Sequence, residues 1–538
     1  MKRRLATAIV AFVLALSSAM ALADSRTEWA VRPGISLEVF ATDFVLPVMI
    51  AIVPEPGPEP EDPFLFVTEL AGTIRVVTND GSVHDFAKDF FELEMPVDLP
   101  KAAGAMGLTG ITLDPATGYI FATFAYQAKS KRRYNNIIRF ETKPHTFSLK
   151  PTGSMMFTDA LRSGRSNFTR NPNGHQIGAC LVDGDKLYVG VGDGEMSRRS
   201  RNKRSLFGKV LCLTLDGKPH PENPFHDDKG AASLIHTLGL RNPFGMVEID
   251  GRIFVGDNGP GVDRIVEAHK GMDYLYDGSD ASIGLNALAV LSPARGMGQM
   301  GYLERNTSFA PAGLGEGFLL ARTGPPEILI EGEYPAVTWL GFDPDRTRVT
   351  TPERTVVEYI GTDQQCLNAL AVGKDEIFFA PLFSDGKPGP VSIYRMRYDP
   401  KNPAPEILGA PRTGLAVIKQ RRCLGCHSFR GRGGKRAPAL DPKDLIPRLH
   451  ARIGTAEYTQ KLASWSPDDD GFRDARKSVL AADGDERIRR WITEHVMEPR
   501  FDSKNATMPA LGVNRREAEM LAAYLLEAYH SSAIVEPE

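Results

Sequence analysis

The sequence predicts a mainly β protein, a six-bladed β-propeller followed by a small all-α domain. The first observation is a short β-branched or aromatic run that recurs after turn residues, at positions 65–69, 120–124, 187–191, 253–257 and 377–381. The second is that residues 30–400 show no pattern for an amphipathic helix longer than about two turns. The third is a change to helical periodicity, with apolar residues at steps of three and four, beyond about residue 412.

The recurring run indicates the number of blades. Measured at its third residue, successive copies lie 55, 67, 66 and 124 residues apart, and the last interval is close to twice the others, as if one copy had drifted. Repeats of about 60 residues built only of strands and turns are typical of four-stranded blades around an axis. Residues 25–410 hold about six of them. A pair of β-sandwiches is the alternative. In a propeller, loops from every blade meet at one face, where we expect a ligand.

Composition narrows the class of protein. The 538 residues are 42% hydrophobic and 24% charged, with a mean hydropathy of −0.22, which is typical of a globular chain. The net charge of −3 gives no support for nucleic-acid binding. Residues 1–23 have a basic start, an apolar run and a terminal Ala-Leu-Ala, the form of a signal peptide cleaved after Ala23. We expect a periplasmic or otherwise exported protein without a stable membrane span; an uncleaved anchor is the alternative.

Residues 24–400 form the predicted propeller domain. A proline-rich linker is predicted at 401–412, and the helical domain at 413–538. In that domain Asn514 is placed to cap the last helix. Three further cysteines, Cys180, Cys212 and Cys366, lie in or beside apolar strands of the first domain, which predicts buried free thiols, with one disulfide left open.

The helical domain carries the strongest motif of the chain. The segment Cys423-Leu424-Gly425-Cys426-His427 has the form Cys-x-x-Cys-His, the covalent attachment signal of c-type haem. The thiols of Cys423 and Cys426 bond the porphyrin, and the imidazole of His427 is placed to ligate the iron. A zinc half-site would need a second Cys or His pair, and no cysteine follows residue 426. A redox pair would need a βαβ context. We therefore predict one covalent haem c.

The iron of such a haem needs a sixth ligand, and the best candidate is Met508. Pro509 follows it and breaks the backbone into a loop that can turn the thioether toward the iron, giving His/Met ligation. The rivals are Met497, Met520 and His495, and packing is the alternative role of any single methionine.

The order of these features resembles class I cytochrome c: a helix, the attachment motif, a Gly- and Pro-containing stretch, a Met-Pro loop and a closing helix. The resemblance implies that the carbonyl of Pro438 accepts a hydrogen bond from His427. Met508 follows His427 by 81 residues, which is longer than in small members and indicates an insertion.

A second resemblance covers about 105 residues of the propeller. In order and spacing they are similar to the soluble glucose/sorbosone dehydrogenase family, six-bladed propellers that use pyrroloquinoline quinone (PQQ). The segments that carry it are Gly174-His175-Gln176-Ile177-Gly178, Gly192-Asp193-Gly194, Phe207-Gly208-Lys209-Val210-Leu211, Leu240-Arg241-Asn242-Pro243-Phe244-Gly245 and Asp257-Asn258-Gly259-Pro260.

The resemblance implies roles that suit the residue types. His175 is the general base, since a histidine with a near-neutral pKa can take a proton from a substrate hydroxyl. Arg241, as a catalytic and cofactor-facing cation, and Asn242 suit an anionic quinone, and Gln176 joins the cofactor-binding set. The carbonyls of Gly259 and Pro260 match positions that hold Ca²⁺. The alternatives are a structural role for His175 and a loop-pinning role for Arg241 and Asn242.

The chain departs from the family pattern at several polar positions. Ala105, Gly194, Gln365 and Leu367 stand where polar or cationic groups are expected, and the family's cofactor lysine has no evident counterpart. Substitutes from another loop are Arg198, Arg199, Arg201 and Arg204, a run that also suits a solvated loop or a docking site for an acidic acceptor.

Three functions are therefore weighed. The first is a quinohaemoprotein dehydrogenase that oxidises a sugar, polyol or alcohol at PQQ and passes electrons through the haem to a soluble cytochrome or an oxidase. The second is an electron-transfer or partner-binding protein whose propeller has lost PQQ. The third is a hydrolytic propeller such as a lactonase, for which no ring of Asp, Glu and Asn metal ligands is evident.

Overall fold

The protein is described by a computed structural model. The residues it describes are 28–91, 106–127, 133–157, 174–292, 294–324, 335–343, 346, 348–359, 365–383, 388–401, 414–421, 423–465, 472–503, 506–508, 511 and 513–530. The predicted signal peptide, residues 402–412 of the predicted linker, Ala105 and Pro509 lie outside these residues. The chain divides into two compact units. The first contains the propeller strands and the second contains the helices that follow residue 413.

The first unit consists of six antiparallel sheets, which confirms the predicted propeller. Two N-terminal strands, β1 (Trp29–Val31) and β2 (Ile35–Val45), precede the first blade. Blades 1 to 3 comprise β3 (Pro47–Ile52), β4 (Pro63–Glu69), β5 (Thr73–Thr78), β6 (Val83–Ala87), β7 (Gly107–Asp114), β8 (Tyr119–Gln127), β9 (Arg133–Glu141), β10 (Gly153–Met156), β11 (Ile177–Asp183), β12 (Lys186–Val191), β13 (Lys209–Thr214) and β14 (Ile235–Leu238). Blades 4 to 6 comprise β15 (Pro243–Ile249), β16 (Arg252–Asp257), β17 (Asp263–Glu267), β18 (Ala289–Leu291), β19 (Met297–Leu303), β20 (Gly317–Arg322), β21 (Ala336–Phe342), β22 (Val349–Tyr359), β23 (Leu367–Val372), β24 (Ile377–Pro381) and β25 (Pro390–Tyr398).

The first strand of each blade lies innermost. Each of these six strands contacts the first strand of the next blade, and β23 of blade 6 contacts β3 of blade 1, so the ring is closed. A loop that precedes an innermost strand therefore opens at the same end of the ring in every blade.

The run that recurs in the sequence is the second strand of a blade. The five copies are β4, β8, β12, β16 and β24. These strands are paired on both sides and covered on both faces by neighbouring blades, so their two faces are both apolar, as in the fully buried Leu65, Phe66 and Val67. The sixth copy is β20 of blade 5, which is buried along its whole length. Its sequence, Gly-Phe-Leu-Leu-Ala-Arg, lacks the β-branched residues of the other copies, which explains why the pattern misses it.

The N-terminal segment closes two blades. Strand β2 pairs antiparallel with β25, with Ile35 opposite Tyr398, and completes blade 6. Strand β1 pairs with β22, with Trp29 opposite Tyr359, and adds a fifth strand to blade 5. Both N-terminal strands are therefore paired with strands of the last two blades, which holds the two ends of the unit together.

Side chains also link the blades. The side-chain oxygen of Gln299 in β19 accepts hydrogen bonds from the backbone N–H groups of Ile50 (2.9 Å) and Leu370 (3.0 Å), in blades 1 and 6. Its amide nitrogen donates to the carbonyl of Ile50 at 2.5 Å. Gln299 thus joins three blades through backbone groups that would otherwise lack a partner.

One short helix, α1 (Asp280–Ile283), interrupts the strands of blade 4. The second unit contains the helices α2 (Gly414–Gln420), α3 (Pro442–Ile453), α4 (Ala456–Ala463), α5 (Arg473–Leu480), α6 (Gly484–Met497) and α7 (Arg515–His530), with a small hairpin of β26 (Ser428–Phe429) and β27 (Arg432–Gly433). The helical character predicted for this region is confirmed. None of the described helices has the length and apolar character of a membrane span.

The first and last helices of this unit cross closely. A Cβ at Gly414 would lie 2.6 Å from the carbonyl oxygen of Met520 and 3.0 Å from the Cα of Leu521. Only a glycine permits this approach. The last helix has the predicted cap, since the side chain of Asn514 accepts from the N–H of Glu517 at 3.0 Å and the Glu517 carboxylate accepts from the N–H of Asn514 at 3.1 Å.

We predict that Gln299→Leu lowers the free energy of unfolding of the propeller by about 2 kcal/mol or more, because buried backbone groups left without a partner cost about 1–3 kcal/mol each. Calorimetric unfolding of the full chain measures the loss. The matched control is Val290→Gln on β18, an exposed position that should leave the transition unchanged. Equal transition temperatures for the Gln299→Leu variant and the wild type would contradict the linking role.

Candidate functional site

A histidine–carboxylate pair lies at the open end of blade 3. His175 lies two residues before the start of β11, and Asp193 lies two residues after the end of β12. The Nδ1 atom of His175 lies 2.6 Å from Oδ1 of Asp193, which is 2% exposed. Because a carboxylate only accepts hydrogen bonds, it favours the tautomer with the proton on Nδ1. The Nε2 atom of His175 is then the basic nitrogen.

The backbone around this pair is tightly constrained. A Cβ at Gly192 would lie 2.6 Å from the carbonyl oxygen of His175 and 2.7 Å from Oδ1 of Asn242, so a side chain there would displace the histidine loop. His175 itself has a φ of +53°, in the left-handed region that residues other than glycine rarely adopt. Such strain is retained where the surroundings fix it, and it is frequent at functional sites.

A buried ion pair holds the neighbouring loop of blade 4. The Oδ1 atom of Asp257 accepts from the backbone N–H groups of Arg241 (2.9 Å) and Asn242 (2.7 Å). Its Oδ2 atom accepts from Nε of Arg264 at 2.9 Å, and both side chains are fully buried. The Arg264 guanidinium also donates to carbonyls of the surrounding loops, those of Gly239, Tyr274, Ser282, Ile283 and Leu285.

The two loops are joined by one backbone bond. The N–H of Asp193 donates to the carbonyl of Arg241 at 2.6 Å. His175, Asp193, Arg241 and Asn242 are therefore brought together at one end of blades 3 and 4, although up to 67 residues separate them along the chain, from His175 to Asn242.

The guanidinium of Arg241 is directed toward the predicted calcium turn. Its Nη1 atom donates to the carbonyl of Asn258 at 2.7 Å. Gly259 and Pro260 follow Asn258, and the N–H of Gly259 is bonded to Asp263 at 3.1 Å. The predicted carbonyl ligands thus lie on the same turn as the carbonyl that holds Arg241. Within the described part of the chain, no three His, Cys, Asp or Glu side chains are grouped as a metal site.

Gln176 is buried and bonded to protein groups. Its side-chain oxygen accepts from Nδ2 of Asn135 at 2.9 Å, and its amide nitrogen donates to the carbonyl of Gly174 at 3.0 Å. Asn135 in turn accepts from the N–H of Ile177 at 2.7 Å. These bonds anchor the loop that carries His175.

The positions that depart from the family pattern have different surroundings. Leu367 is fully buried in the propeller core, and Gln365 is partly buried just before it. Gly194 lies beside the histidine pair with a φ of +62°.

Lys209 is fully buried, and its ammonium donates to the carbonyls of Arg199, Ser200 and Phe207 at 2.6–3.0 Å. Burial lowers the pKa of Lys209 to about 7, against the opposing effect of Asp273.

The sequence did not single out several residues that shape this site. Asp193 was visible only as the centre of the Gly-Asp-Gly turn, and Asp257 only as the last residue of a recurring strand. Asn135 and Arg264 lie within strands and carry no local signal. The thiols of Cys180, Cys212 and Cys366 form no disulfide; the first two are buried and Cys366 is partly buried.

In the second unit the Cys-x-x-Cys-His segment forms a compact turn. The N–H groups of Cys426 (3.3 Å) and His427 (3.0 Å) both donate to the carbonyl of Cys423. Cys423 is buried, which raises the pKa of its thiol to about 11, whereas Cys426 is exposed. A Cβ at Gly434 would lie 2.6 Å from the carbonyl oxygen of Gly425, so the following stretch packs directly on the turn.

The imidazole of His427 is oriented by the stretch that follows. Its Nδ1 atom lies 2.6 Å from the carbonyl oxygen of Pro438, the contact that the resemblance to class I cytochrome c implies. With Nδ1 as the donor, Nε2 is left for a metal ion. These donors, two thiols and one oriented imidazole, fit a covalent haem.

The candidates for the sixth ligand differ in their surroundings. Met508 is partly buried in an irregular segment before α7. His495 stacks on Trp491, with ring centroids 4.3 Å apart, and its Nδ1 atom lies 3.6 Å from Asp502. Met497 and Met520 pack against the helical core. Of these four side chains, Met508 is the one placed outside a regular helix.

Comparison with known proteins links the propeller to one family. Residues 58–286, which include His175, Arg241, Asn242 and Gly259, match the family described as glucose/sorbosone dehydrogenase. This segment resembles that family. A curated relative, the aldose sugar dehydrogenase YliI of Escherichia coli (strain K12), is 33% identical over 106 residues, which are 19% of this chain and 29% of the relative. The match therefore spans under a third of that protein.

Two solved structures share the propeller fold. An oxidoreductase of Thermus thermophilus, described as a glucose dehydrogenase, is 20% identical with a TM-score of 0.50 and covers 68% of this chain and 100% of its own. Another glucose dehydrogenase is 15% identical with a TM-score of 0.51 and covers 67% of this chain and 98% of its own. These likenesses establish the fold of the first unit.

We predict that Arg264→Met lowers the free energy of unfolding by about 3–5 kcal/mol, because it leaves the Asp257 carboxylate buried without its charge partner. The double variant Asp257→Asn/Arg264→Met should recover part of the loss. Calorimetry of the full chain measures both. Arg204→Met, at an exposed position, is the control, and a loss no larger than its own would contradict this role of the ion pair.

Proposed function

We propose that the protein is a periplasmic quinohaemoprotein dehydrogenase that oxidises a sugar, polyol or other alcohol at the open end of the propeller. The observation that carries the proposal is the His175–Asp193 pair beside Arg241 and Asn242, in a segment that resembles the glucose/sorbosone dehydrogenases. The names of the relatives, an aldose sugar dehydrogenase and two glucose dehydrogenases, support the substrate class.

The role of His175 follows from its tautomer. The Nε2 atom accepts the proton of the substrate hydroxyl while hydride leaves the carbon that carries this hydroxyl. The Asp193 carboxylate stabilises the imidazolium that results. PQQ, when bound, supplies the acceptor for that hydride. The strain at His175 and the bonds of Gln176 keep the imidazole in one orientation during the transfer.

The residues around His175 suit an anionic cofactor. Arg241 and Asn242 provide a cation and an amide, held in place through their backbone by Asp257. Calcium would be held by the carbonyls of Gly259 and Pro260, oxygen donors of the kind that this ion prefers. In the buried pair the charges of Asp257 and Arg264 neutralise each other. Asp257 therefore does not neutralise the charge of Arg241, which is available to a ligand.

The second unit is proposed to be a class I cytochrome c domain. Cys423 and Cys426 would attach the haem, and His427, oriented by Pro438, and Met508 would be the protein ligands of its iron. Such a haem would supply a carrier of single electrons, and His/Met ligation would raise its potential. The proposed acceptor of these electrons is a soluble cytochrome or a terminal oxidase.

The surface near the attachment motif is strongly basic. Residues 421–448 contain eight Lys and Arg residues and two Asp residues, in a chain whose overall charge is −3. Five of these cations are exposed and follow the exposed Cys426 within 22 residues of the sequence, and they are Arg430, Lys435, Arg436, Lys443 and Arg448. This surface favours an acidic electron acceptor, since complementary charges accelerate encounter.

The second candidate function is an electron-transfer or binding protein whose propeller has lost PQQ. It is favoured by the burial of Leu367 in the core, where the family pattern has a cation, and by the engagement of the Gln176 amide with Asn135 and Gly174. It would leave the His175–Asp193 pair without a chemical role.

The first test is substrate-dependent haem reduction. The purified full chain is checked for covalent haem, incubated with PQQ and Ca²⁺, and mixed with aldoses, polyols and simple alcohols while the haem absorption is followed. We expect reduction that requires both PQQ and one substrate class. His175→Ala should slow it about 10²-fold or more, as expected for loss of a general base. The control is His84→Ala, an exposed position on β6. Haem that stays oxidised with every substrate would contradict the dehydrogenase, and a chain without covalent haem would contradict the cytochrome domain.

The second test concerns the acceptor. Electron transfer from the reduced protein to an acidic soluble cytochrome should slow as the salt concentration rises, because the Debye length falls from about 30 Å at 0.01 M to about 10 Å at 0.1 M. The double variant Lys435→Glu/Arg436→Glu should slow it further at low salt, and Lys143→Glu, an exposed change in the propeller unit, should not. A rate independent of salt and of these charges would contradict docking at the basic surface.

A further inference from the structure

Three buried polar side chains of blade 2 are bonded to the strand that follows His175. They are Thr109 on β7, Thr123 on β8 and Asn135 on β9; the two threonines are fully buried and Asn135 is 3% exposed. A buried polar side chain is costly unless it has a hydrogen-bond partner. Each of the three has such a partner in blade 3.

The partners are backbone groups at the start of β11. The pairing of β11 with β12 shifts register just after Ile177, and a shift of this kind leaves backbone groups without a partner in the sheet. The hydroxyl of Thr109 donates to the carbonyl of Ile177 at 2.9 Å, and the hydroxyl of Thr123 donates to the carbonyl of Gly178. The side-chain oxygen of Asn135 accepts from the N–H of Ile177 at 2.7 Å. Blade 2 thus supplies hydrogen bonds to the irregular start of this strand.

Asn135 differs from the two threonines because it is also connected to the other side of the turn. Its Nδ2 atom donates to Oε1 of Gln176 at 2.9 Å, and Nε2 of Gln176 donates to the carbonyl of Gly174 at 3.0 Å. One amide is therefore bound directly to the N–H of Ile177 and, through Gln176, to the carbonyl of Gly174. His175 lies between these two points, so both ends of its turn are held by Asn135.

These bonds account for the backbone conformation of His175. Its φ of +53° is strained for a residue other than glycine, and such a conformation persists where the surrounding contacts fix it. On the other side of the turn, the N–H groups of Gly192 and Gly194 donate to the carbonyls of Gln176 and His175, both at 3.0 Å. In this conformation Nδ1 of His175 lies 2.6 Å from Asp193. A change of φ would rotate the imidazole away from that carboxylate.

We propose that Asn135 is a positioning residue of the candidate active site: through Gln176 and Ile177 it holds His175 in the left-handed conformation that aligns the imidazole with Asp193. The inference deepens the proposed function and rests on it, since the alignment affects the reaction only if Nε2 of His175 takes the substrate proton. A side chain that fixed only the strand would change stability and leave the imidazole as it is. The experiments separate these two roles.

The first measurement is the tautomer of His175 in the full chain, without PQQ, Ca²⁺ or substrate. Long-range ¹H–¹⁵N correlation spectra of protein labelled with ¹⁵N-histidine, recorded where the imidazole is neutral, distinguish a proton on Nδ1 from one on Nε2. The His175→Ala variant identifies the signal. We expect the proton on Nδ1 in the wild type, because the Asp193 carboxylate only accepts hydrogen bonds. Asn135→Leu, which keeps the approximate size and loses both hydrogen bonds, should give a mixture of the two tautomers.

Two matched variants control for a general effect on the blade. Asn136→Leu is the same substitution at the next residue of β9, whose side chain faces the opposite side of the strand and donates to the Tyr126 hydroxyl at 3.4 Å. Thr123→Val removes the bond to Gly178 and none of the bonds to the turn of His175. Both should keep the proton on Nδ1, even where they lower the temperature of unfolding. A mixture of tautomers in either variant would overturn the specific role of Asn135.

The second measurement is steady-state haem reduction by the substrate class found in the first test of the proposed function. Asn135→Leu should lower kcat about tenfold or more and change KM less than about twofold, because a misaligned base weakens the transition state and not the binding of substrate. Asn136→Leu and Thr123→Val should keep the kcat of the wild type.

Thermal unfolding shows whether each variant keeps the wild-type fold. Asn135→Asp, which keeps the acceptor for the N–H of Ile177 and loses the donor to Gln176, replaces the leucine variant if that variant unfolds. An unchanged tautomer in a folded Asn135 variant would overturn the positioning role and leave the proposed function standing. A changed tautomer in a protein whose haem no substrate reduces would uphold the positioning role and overturn the proposed function. A wild type with the proton on Nε2 of His175 would overturn both.

Discussion

The candidate active site depends on the buried ion pair between Asp257 and Arg264. Two fully buried charges are tolerated because each is compensated by the other and by backbone groups. Asp257 fixes the backbone of Arg241 and Asn242, the carbonyl of Arg241 binds the N–H of Asp193, and Asp193 orients His175. A charge pair inside blade 4 is therefore linked through the main chain to the carboxylate that orients a histidine on blade 3.

The Cys-x-x-Cys-His turn of the second unit is also held in place by the main chain. Its reactive groups are positioned by backbone contacts: the carbonyl of Cys423 gathers two N–H groups, Gly434 allows the next stretch to lie against Gly425, and Pro438 orients His427. In both units the main chain fixes the positions of the candidate functional side chains. Glycines at 192 and 434 are required because another chain segment occupies the place of their Cβ atoms.

Much of the fold could be predicted from the sequence because the second strand of a blade is buried on both faces and is therefore apolar over most of its length. The drifted copy is β20, where leucine and alanine replace the β-branched residues without changing burial. The roles of β1 and β2 could not be predicted, since their partners lie more than 300 residues away. Only part of the polar network could be predicted. His175 and Arg241 belong to a recognisable order of motifs. Asn135 and Arg264 lie inside strands, where a single polar residue gives no pattern that marks it as functional.

The pairing of β2 with β25 has a consequence for how the chain reaches its native state. Ile35 can find Tyr398 only after nearly the whole unit has been synthesised, so blade 6 cannot be completed while the chain is still growing. Contacts between residues so distant in sequence form slowly, because a long loop must close before the pairing stabilises it. Until then β2 has no strand to pair with, and an unpaired strand is a template for association with other chains. The pairing that joins the two ends of the finished ring therefore leaves a strand edge exposed while the chain is still growing.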